Sequence, residues 1–174
     1  MPKSDQGATS DRYRVIPRTL VFLTRGETVL LLRGAPTKRL WANRYNGLGG
    51  HIERGEDALS AARRELREEA GLVAADLRLV GTLLVDAGEN TGIGIYIFLG
   101  TCDQGEARVS SEGTPEWIPI ARVTEYPLVE DLAVLLPHVL SAVSGGPPFS
   151  ARSYYDEADR LQVRLADQDT GARS

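Results

Sequence analysis

The stretch from Asp57 to Gly71 constrains this chain most. Asp57 is a residue that caps a helix N-terminus, and Gly71 stands where a helix ends in a left-handed residue. At about 100° per residue, Leu59, Ala62, Leu66 and Ala70 fall on one stripe of the predicted helix. Glu65, Glu68 and Glu69 fall on an adjoining stripe, spaced i, i+3, i+4. A helix so written packs its apolar stripe on a core and shows three carboxylates beside it. Like charges that close repel by a few tenths of a kcal/mol per pair, a cost that a bound cation removes. Arg63, Arg64 and Arg67 are interleaved, so a solvated face of surface ion pairs is the plain alternative.

Composition narrows which cation this would be. With one cysteine, Cys102, and two histidines, a structural zinc site is nearly excluded. Carboxylates alone suit a hard cation, Mg²⁺ with Mn²⁺ as the alternative. The balance of 20 basic and 24 acidic residues gives a net charge of −4, and the pI is near 5.3. That argues against long nucleic acid as a partner. The 174 residues fit one domain. No run is long and apolar enough for a membrane span, and the first residues lack the apolar stretch of a secretory signal. With the lone cysteine, this makes a cytoplasmic location the expectation.

The rest of the chain reads as strands and turns. Residues 1–16 are polar and aperiodic, and are expected to form a flexible arm. Arg18–Thr24 and Thr28–Arg33 read as a hairpin, followed by a loop to Asn46. Strands are expected at 75–85, 92–100 and 116–120, and a closing helix over Glu130–Val143 that Pro137 must start, kink or split. The extension 145–174 reads as a hairpin, with extended stretches at 150–155 and 160–165. Such a hairpin edge would extend the sheet or pair two copies, leaving monomer and homodimer both open. Upstream of the acidic helix lies Asn46-Gly47-Leu48-Gly49-Gly50, a glycine-dense turn. Gly49 and Gly50 allow backbone to approach a phosphate or metal closely, and a carbonyl there adds one more hard oxygen. Glu56 and Arg64 are expected to pair and hold this loop against the helix.

From Gly50 the chain runs through five residues to Glu56, seven more to Arg64-Glu65, then Leu66, Glu68-Glu69, Gly71 and Leu72. This resembles, position for position, the motif Gly-x5-Glu-x7-Arg-Glu-U-x-Glu-Glu-x-Gly-U of the Nudix hydrolases, U being aliphatic. A chance match is on the order of one in a billion per start site at average residue usage. The resemblance implies an α/β/α sandwich, a mixed curved sheet between the motif helix and the closing helix, with the domain over 17–144. It implies Mg²⁺-dependent hydrolysis of a nucleoside diphosphate linked to another group, with Glu56, Arg64, Glu65, Glu68 and Glu69 as the catalytic set. Glu65, Glu68 and Glu69 would be the metal ligands, joined by Gly50, with Glu112 as a further loop carboxylate. The general base stays open among Glu65, Glu69 and such a loop residue.

The segment Trp41–His51 is similar to the Trp-Asn-Gly-x-Gly-Gly-Lys stretch of the MutT-type oxidised-purine nucleoside triphosphatases, with Tyr45 in place of Trp and His51 in place of Lys. That likeness implies a small-molecule nucleoside triphosphate as substrate, monophosphate and pyrophosphate as products, and Asn46 as a reader of a purine edge. Trp41 and Tyr45 become candidates for stacking on the base, and Glu130 or Asp131 for contacting it. Trp117 reads as core. The alternatives are another nucleoside diphosphate derivative, a nucleotide sugar or dinucleoside polyphosphate, and a non-catalytic nucleotide-binding module.

Overall fold

The structure, a computed structural model, describes Gly7 and residues 12–166. Its strands are β1 (Arg14–Arg25), β2 (Thr28–Gly34), β3 (Tyr45–Asn46), β4 (Arg78–Val85), β5 (Thr91–Thr101), β6 (Gly113–Pro119), β7 (Phe149–Tyr155) and β8 (Leu161–Leu165). Two α-helices accompany them, α1 (Ala58–Ala70) and α2 (Leu132–Ser141). The strands form one mixed sheet in the order β3-β2-β1-β5-β4-β7-β8, with β6 also paired to β2. One face packs Val21, Leu23, Leu30 and Phe98 against Ala62, Leu66 and Ala70 of α1. The other packs Phe22, Leu31, Ile97 and Leu83 against Leu132, Leu135, Leu136 and Val139 of α2. The sheet therefore lies between the two helices, as expected.

What positions the site is a split between β1 and β2. These strands pair over only three residues, Leu23↔Leu30 to Arg25↔Thr28. Beyond that point the glycine turn enters the gap. Val21 N–H donates to Leu48 O at 2.6 Å, and Thr19 N–H donates to Gly50 O at 2.8 Å. β3 meanwhile pairs with the far end of β2, Leu32↔Asn46. The glycine-dense backbone is thus itself laced into the sheet, which satisfies its buried polar groups and holds it rigidly.

Several boundaries differ from those the sequence suggests. β1 begins at Arg14, so residues 14–16 are taken from the expected arm into a parallel ladder with β5, from Arg14↔Thr91 to Thr24↔Thr101. Val15 and Ile16 are exposed there, so no buried face marks them as strand. Residues 1–6 and 8–11 of the arm lie outside the described residues. β4 starts at Arg78 and β6 at Gly113. Pro137 lies inside α2, and the helix passes into a 3₁₀ turn at Ala142–Ser144. The tail hairpin is present and extends the sheet: β7 runs parallel to β4, and β8 antiparallel to β7.

Candidate active site

The acidic helix begins and ends where its sequence directs. Asp57 Oδ1 accepts the N–H groups of Leu59 and Ser60, both at 2.9 Å. Gly71 has φ 67° and its N–H donates to Arg67 O. This left-handed residue turns the chain out of the helix without the strain a side chain would carry. Ala62, Leu66 and Ala70 are buried as expected, whereas Leu59 is only half-buried.

Arg64 is the hub of the site. Its Nε and Nη2 donate to the two oxygens of Glu56 at 2.8 and 3.0 Å, a two-pronged pair. Nη2 also donates to the His51 carbonyl at 3.0 Å, which ties the glycine turn to the helix. Nη1 donates to Glu65 Oε1 at 2.8 Å and to Glu68 Oε2 at 3.2 Å. The guanidinium holds Glu56 below its ordinary carboxylate range. The expected Glu56–Arg64 clamp is present. Arg64 does more than brace, however, because it also steadies two of the three carboxylates on the acidic stripe.

The three glutamates differ in environment. Glu68 is open to solvent, its side chain 60% exposed, and Glu65 is nearly covered. Glu69 is buried at 6% exposure, under the glycine turn, where Oε2 accepts the Gly49 N–H at 2.7 Å. Burial pushes its carboxyl up to about 7, the Gly49 hydrogen bond opposes this, and the charges of Glu65 and Glu112 add to it. A Cβ on Gly50 would stand 2.6 Å from Glu65 Oε1. Only glycine lets that carboxylate lie against the backbone.

These groups line a cleft of about 350 Å³, bounded by Gly49, Gly50, His51, Glu53, the three glutamates and Ser110–Glu112. Glu112 therefore reaches the site, where its carboxylate pairs with Lys38. A narrower cleft of about 100 Å³ adjoins it, sharing Gly49 and Glu69, and is lined by Lys38, Leu40, Trp41, Arg44 and Asn46. Trp41 is 52% exposed there, and Asn46 Oδ1 accepts the Gly47 N–H at 2.8 Å, leaving the amide nitrogen free to donate. A larger cavity, about 570 Å³, lies elsewhere, between β4, β7 and α2, and its lining carries no carboxylate.

Tyr45 is not a stacking residue. Alternation along β3 turns its side chain to the face opposite Asn46, into the core at 7% exposure. Its hydroxyl donates to Glu116 Oε2 at 2.8 Å, and burial together with that bond pushes its pKa up to about 12. Its ring meets Tyr126 edge-on at 5.3 Å. Glu130 and Asp131 line neither cleft. The bridge Tyr45↔Leu128 brings their segment beside β3, and burial raises the Asp131 carboxyl. Trp117 is partly buried and packs against the core on the α1 side of the sheet, under the Arg25 guanidinium at 4.3 Å. Lys38 is the site residue that the motif does not announce. A lysine in a loop carries no spacing signal, and only the fold brings it to the cleft.

Apart from the His51 imidazole, the side-chain donors around the carboxylate cleft are hard oxygens, which suits a divalent cation such as Mg²⁺ or Mn²⁺. As the side chains stand, no three acidic, histidine or cysteine groups among the described residues form a ready cage. Arg64 occupies Glu65 and Glu68 in this arrangement. The Gly50 carbonyl, whose first lone pair serves Thr19, keeps a second. The residues fit such an ion by chemistry.

A mixed sheet split by a glycine turn, with a capped carboxylate helix beneath that turn, defines the Nudix fold class. The family model for the NUDIX domain matches residues 15–139. The chain is 35% identical over 106 residues to the oxidized purine nucleoside triphosphate hydrolase of Danio rerio, covering 60% of this chain and 67% of that protein. It is 38% identical over 69 residues to the NAD-capped RNA hydrolase NudC of Pseudomonas aeruginosa, covering 40% of this chain and 24% of that one. The crystal structure of the MutT protein of Bacillus halodurans superposes with a TM-score of 0.74 at 24% identity, over 88% of this chain and 99% of its own. The chain belongs to the Nudix family and is a Nudix hydrolase. Such hydrolases generally use divalent metal ions. No helix among the described residues is long and apolar enough to cross a membrane.

Proposed function

We propose that this enzyme hydrolyses nucleoside triphosphates, oxidised purine forms among them, to the monophosphate and pyrophosphate, with Mg²⁺ as its cofactor. The observation that carries this is the meeting of the two clefts at Gly49 and Glu69. One offers carboxylates to phosphates, and the other offers an aromatic face and an amide donor to a base. The name of the Danio rerio relative supports the same substrate class.

Glu65, Glu68, Glu69, the Gly50 carbonyl and Glu112 would hold the cation. Bound there, Mg²⁺ neutralises charge on the phosphate oxygens and makes water more acidic. Arg64, fixed by Glu56, orients Glu65 and Glu68 and keeps the glycine turn against the helix. The proton of the attacking water passes to a cleft carboxylate. Glu65 and Glu69 are the two shielded from solvent, held by Arg64 and by the Gly49 N–H, whereas Glu68 stands open to water. Asn46 donates from its amide nitrogen to an acceptor on the purine edge, and Trp41 covers the ring.

The test is a Mg²⁺-dependent hydrolysis panel with product identification. It covers canonical and oxidised nucleoside triphosphates, ADP-ribose, dinucleoside polyphosphates and nucleotide sugars. Monophosphate plus pyrophosphate, with an oxidised purine triphosphate leading in kcat/KM, is the expected result. A leading nucleotide sugar or dinucleotide keeps the metal site and overturns the base assignment. Binding without turnover of any substrate overturns the catalytic reading.

A further inference from the structure

A nucleotide whose base lies on Trp41 and Asn46, and whose reacting phosphorus lies over Glu65 and Glu69, must carry its phosphates across the junction of the two clefts. One ion pair spans that junction, between Lys38 of the 35–44 loop and Glu112 of the segment before β6. Its surroundings are strongly acidic. Besides Lys38, the only Lys or Arg among the described residues lining the two clefts is Arg44, whose Nη1 donates to the Leu128 carbonyl at 3.3 Å. Arg64 is committed to Glu56, Glu65, Glu68 and the His51 carbonyl.

The pair is not what joins the two loops. Ala35 N–H donates to Glu112 O at 3.1 Å, and Lys38 N–H donates to Ala35 O at 3.0 Å. Backbone bonds thus keep the loops together whichever partner the Lys38 ammonium takes. The two side chains are about a third and a half exposed. A pair so wet contributes little to stability and exchanges readily for a stronger anion. Lysine suits such an exchange, since it is a compact charge on a flexible stem.

We propose that Lys38 is the phosphate-binding cation of this site, held on Glu112 until a polyphosphate takes it. This rests on the nucleotide reading above. On exchange, Nζ donates to a phosphate oxygen, and Glu112 loses its counter-charge and faces the carboxylate cleft. No covalent bond changes. Lys38 thereby selects for substrates with a phosphate chain long enough to cross from the base side to the carboxylates.

The experiment is a two-residue cycle in the full chain: Lys38→Met, Glu112→Gln and the double variant. Equilibrium binding of a non-hydrolysable nucleoside triphosphate and of the monophosphate is measured with chelator, which removes metal ligation from the comparison, and again with Mg²⁺. Thermal melts establish that each variant folds. Lys38→Met is expected to weaken triphosphate binding about tenfold and monophosphate binding less than about twofold. Glu112→Gln, by freeing the ammonium, is expected to tighten triphosphate binding severalfold with chelator present. Lys38→Met in the Glu112→Gln background then gives a loss at least as large. No loss in that background would mean that Lys38 acts only by holding Glu112, and would overturn the proposal. Equal losses for triphosphate and monophosphate would also overturn it. If the unmodified chain binds no nucleotide, the underlying nucleotide reading falls with it; if it binds and Lys38→Met matches it, only the Lys38 assignment falls.

Discussion

Replacing Glu69 by Gln should move stability and activity in opposite directions. The carboxyl lies buried beneath Gly49, with one oxygen on the Gly49 N–H at 2.7 Å. Burial raises it from the ordinary 4.5 to about 7. At about 1.4 kcal/mol per tenfold, ionising it in the metal-free fold costs about 3 kcal/mol at pH 8. The sign follows from linkage: a group whose folded pKa is raised contributes stability that is fully present below its unfolded value and is lost as pH rises through the folded one. Glutamine keeps the shape and an acceptor for Gly49 without the charge. With chelator at pH 8, Glu69→Gln should therefore be more stable by about 3 kcal/mol, roughly 5–10 °C in Tm for a chain of this size. At pH 5 the gap should shrink below about 1 kcal/mol. Adding Mg²⁺ should raise the Tm of the unmodified protein and leave the variant nearly unmoved, and Mg²⁺-dependent turnover should be abolished. Melts at both pH values, with and without metal, and a steady-state assay read all of this. A variant less stable at pH 8 would show that the charge-assisted strength of the Gly49 bond outweighs desolvation of the carboxylate. Near-normal turnover would remove Glu69 from the ligand set.

Three further outcomes follow from the geometry. Arg64→Lys keeps the charge but not the fork that spans Glu56, His51, Glu65 and Glu68, so kcat should fall at least about a hundredfold with a stability loss of about 1–2 kcal/mol; paired melts and kinetics would read this, and unchanged kcat would make the clamp merely structural. Gly50→Ala places a methyl 2.6 Å from Glu65 Oε1, the movable end of a side chain, and should cost less than about 1 kcal/mol of stability while displacing that carboxylate and lowering metal affinity, measured by titration of Mn²⁺. Tyr45→Phe removes the hydroxyl bond to Glu116 and should cost about 1 kcal/mol with KM unchanged, whereas Trp41→Ala should raise KM for purine triphosphates and leave Tm alone; a raised KM in Tyr45→Phe would restore that ring to the substrate site.

The α1 helix was legible almost to the residue, because its cap, its stripe and its stop are all local. Asp57 and Gly71 act within a turn of themselves, and the periodicity of Leu66 and Ala70 needs no knowledge of the partner sheet. The Glu56–Arg64 pair was legible for a related reason, since the Gly50–Leu72 spacing holds both on one short loop-helix unit. β1 was misjudged at its start, because Val15 and Ile16 owe their extended form to hydrogen bonding with β5, across about 80 residues of chain, and not to burial.

By itself the sequence determined the chemistry present: three carboxylates at helical spacing, a glycine turn before them, an arginine to brace them, and too few cysteines and histidines for a structural zinc site. Tertiary structure alone decided how those groups differ. It buried Glu69 and left Glu68 in water, although both lie on one stripe, because the glycine turn entering the split between β1 and β2 covers only one of them. It turned Tyr45 into the core and Asn46 toward the cleft, through pairing with β2 that fixes which face each residue takes. It also brought Lys38 to Glu112, a contact set by two loops that meet at the end of the β2–β6 pair, beyond Gly34↔Gly113. Spacing along a chain records neighbours within an element. Desolvation and charge pairing depend on what other elements close over them, and these decide which carboxylate, which ring and which lysine can act.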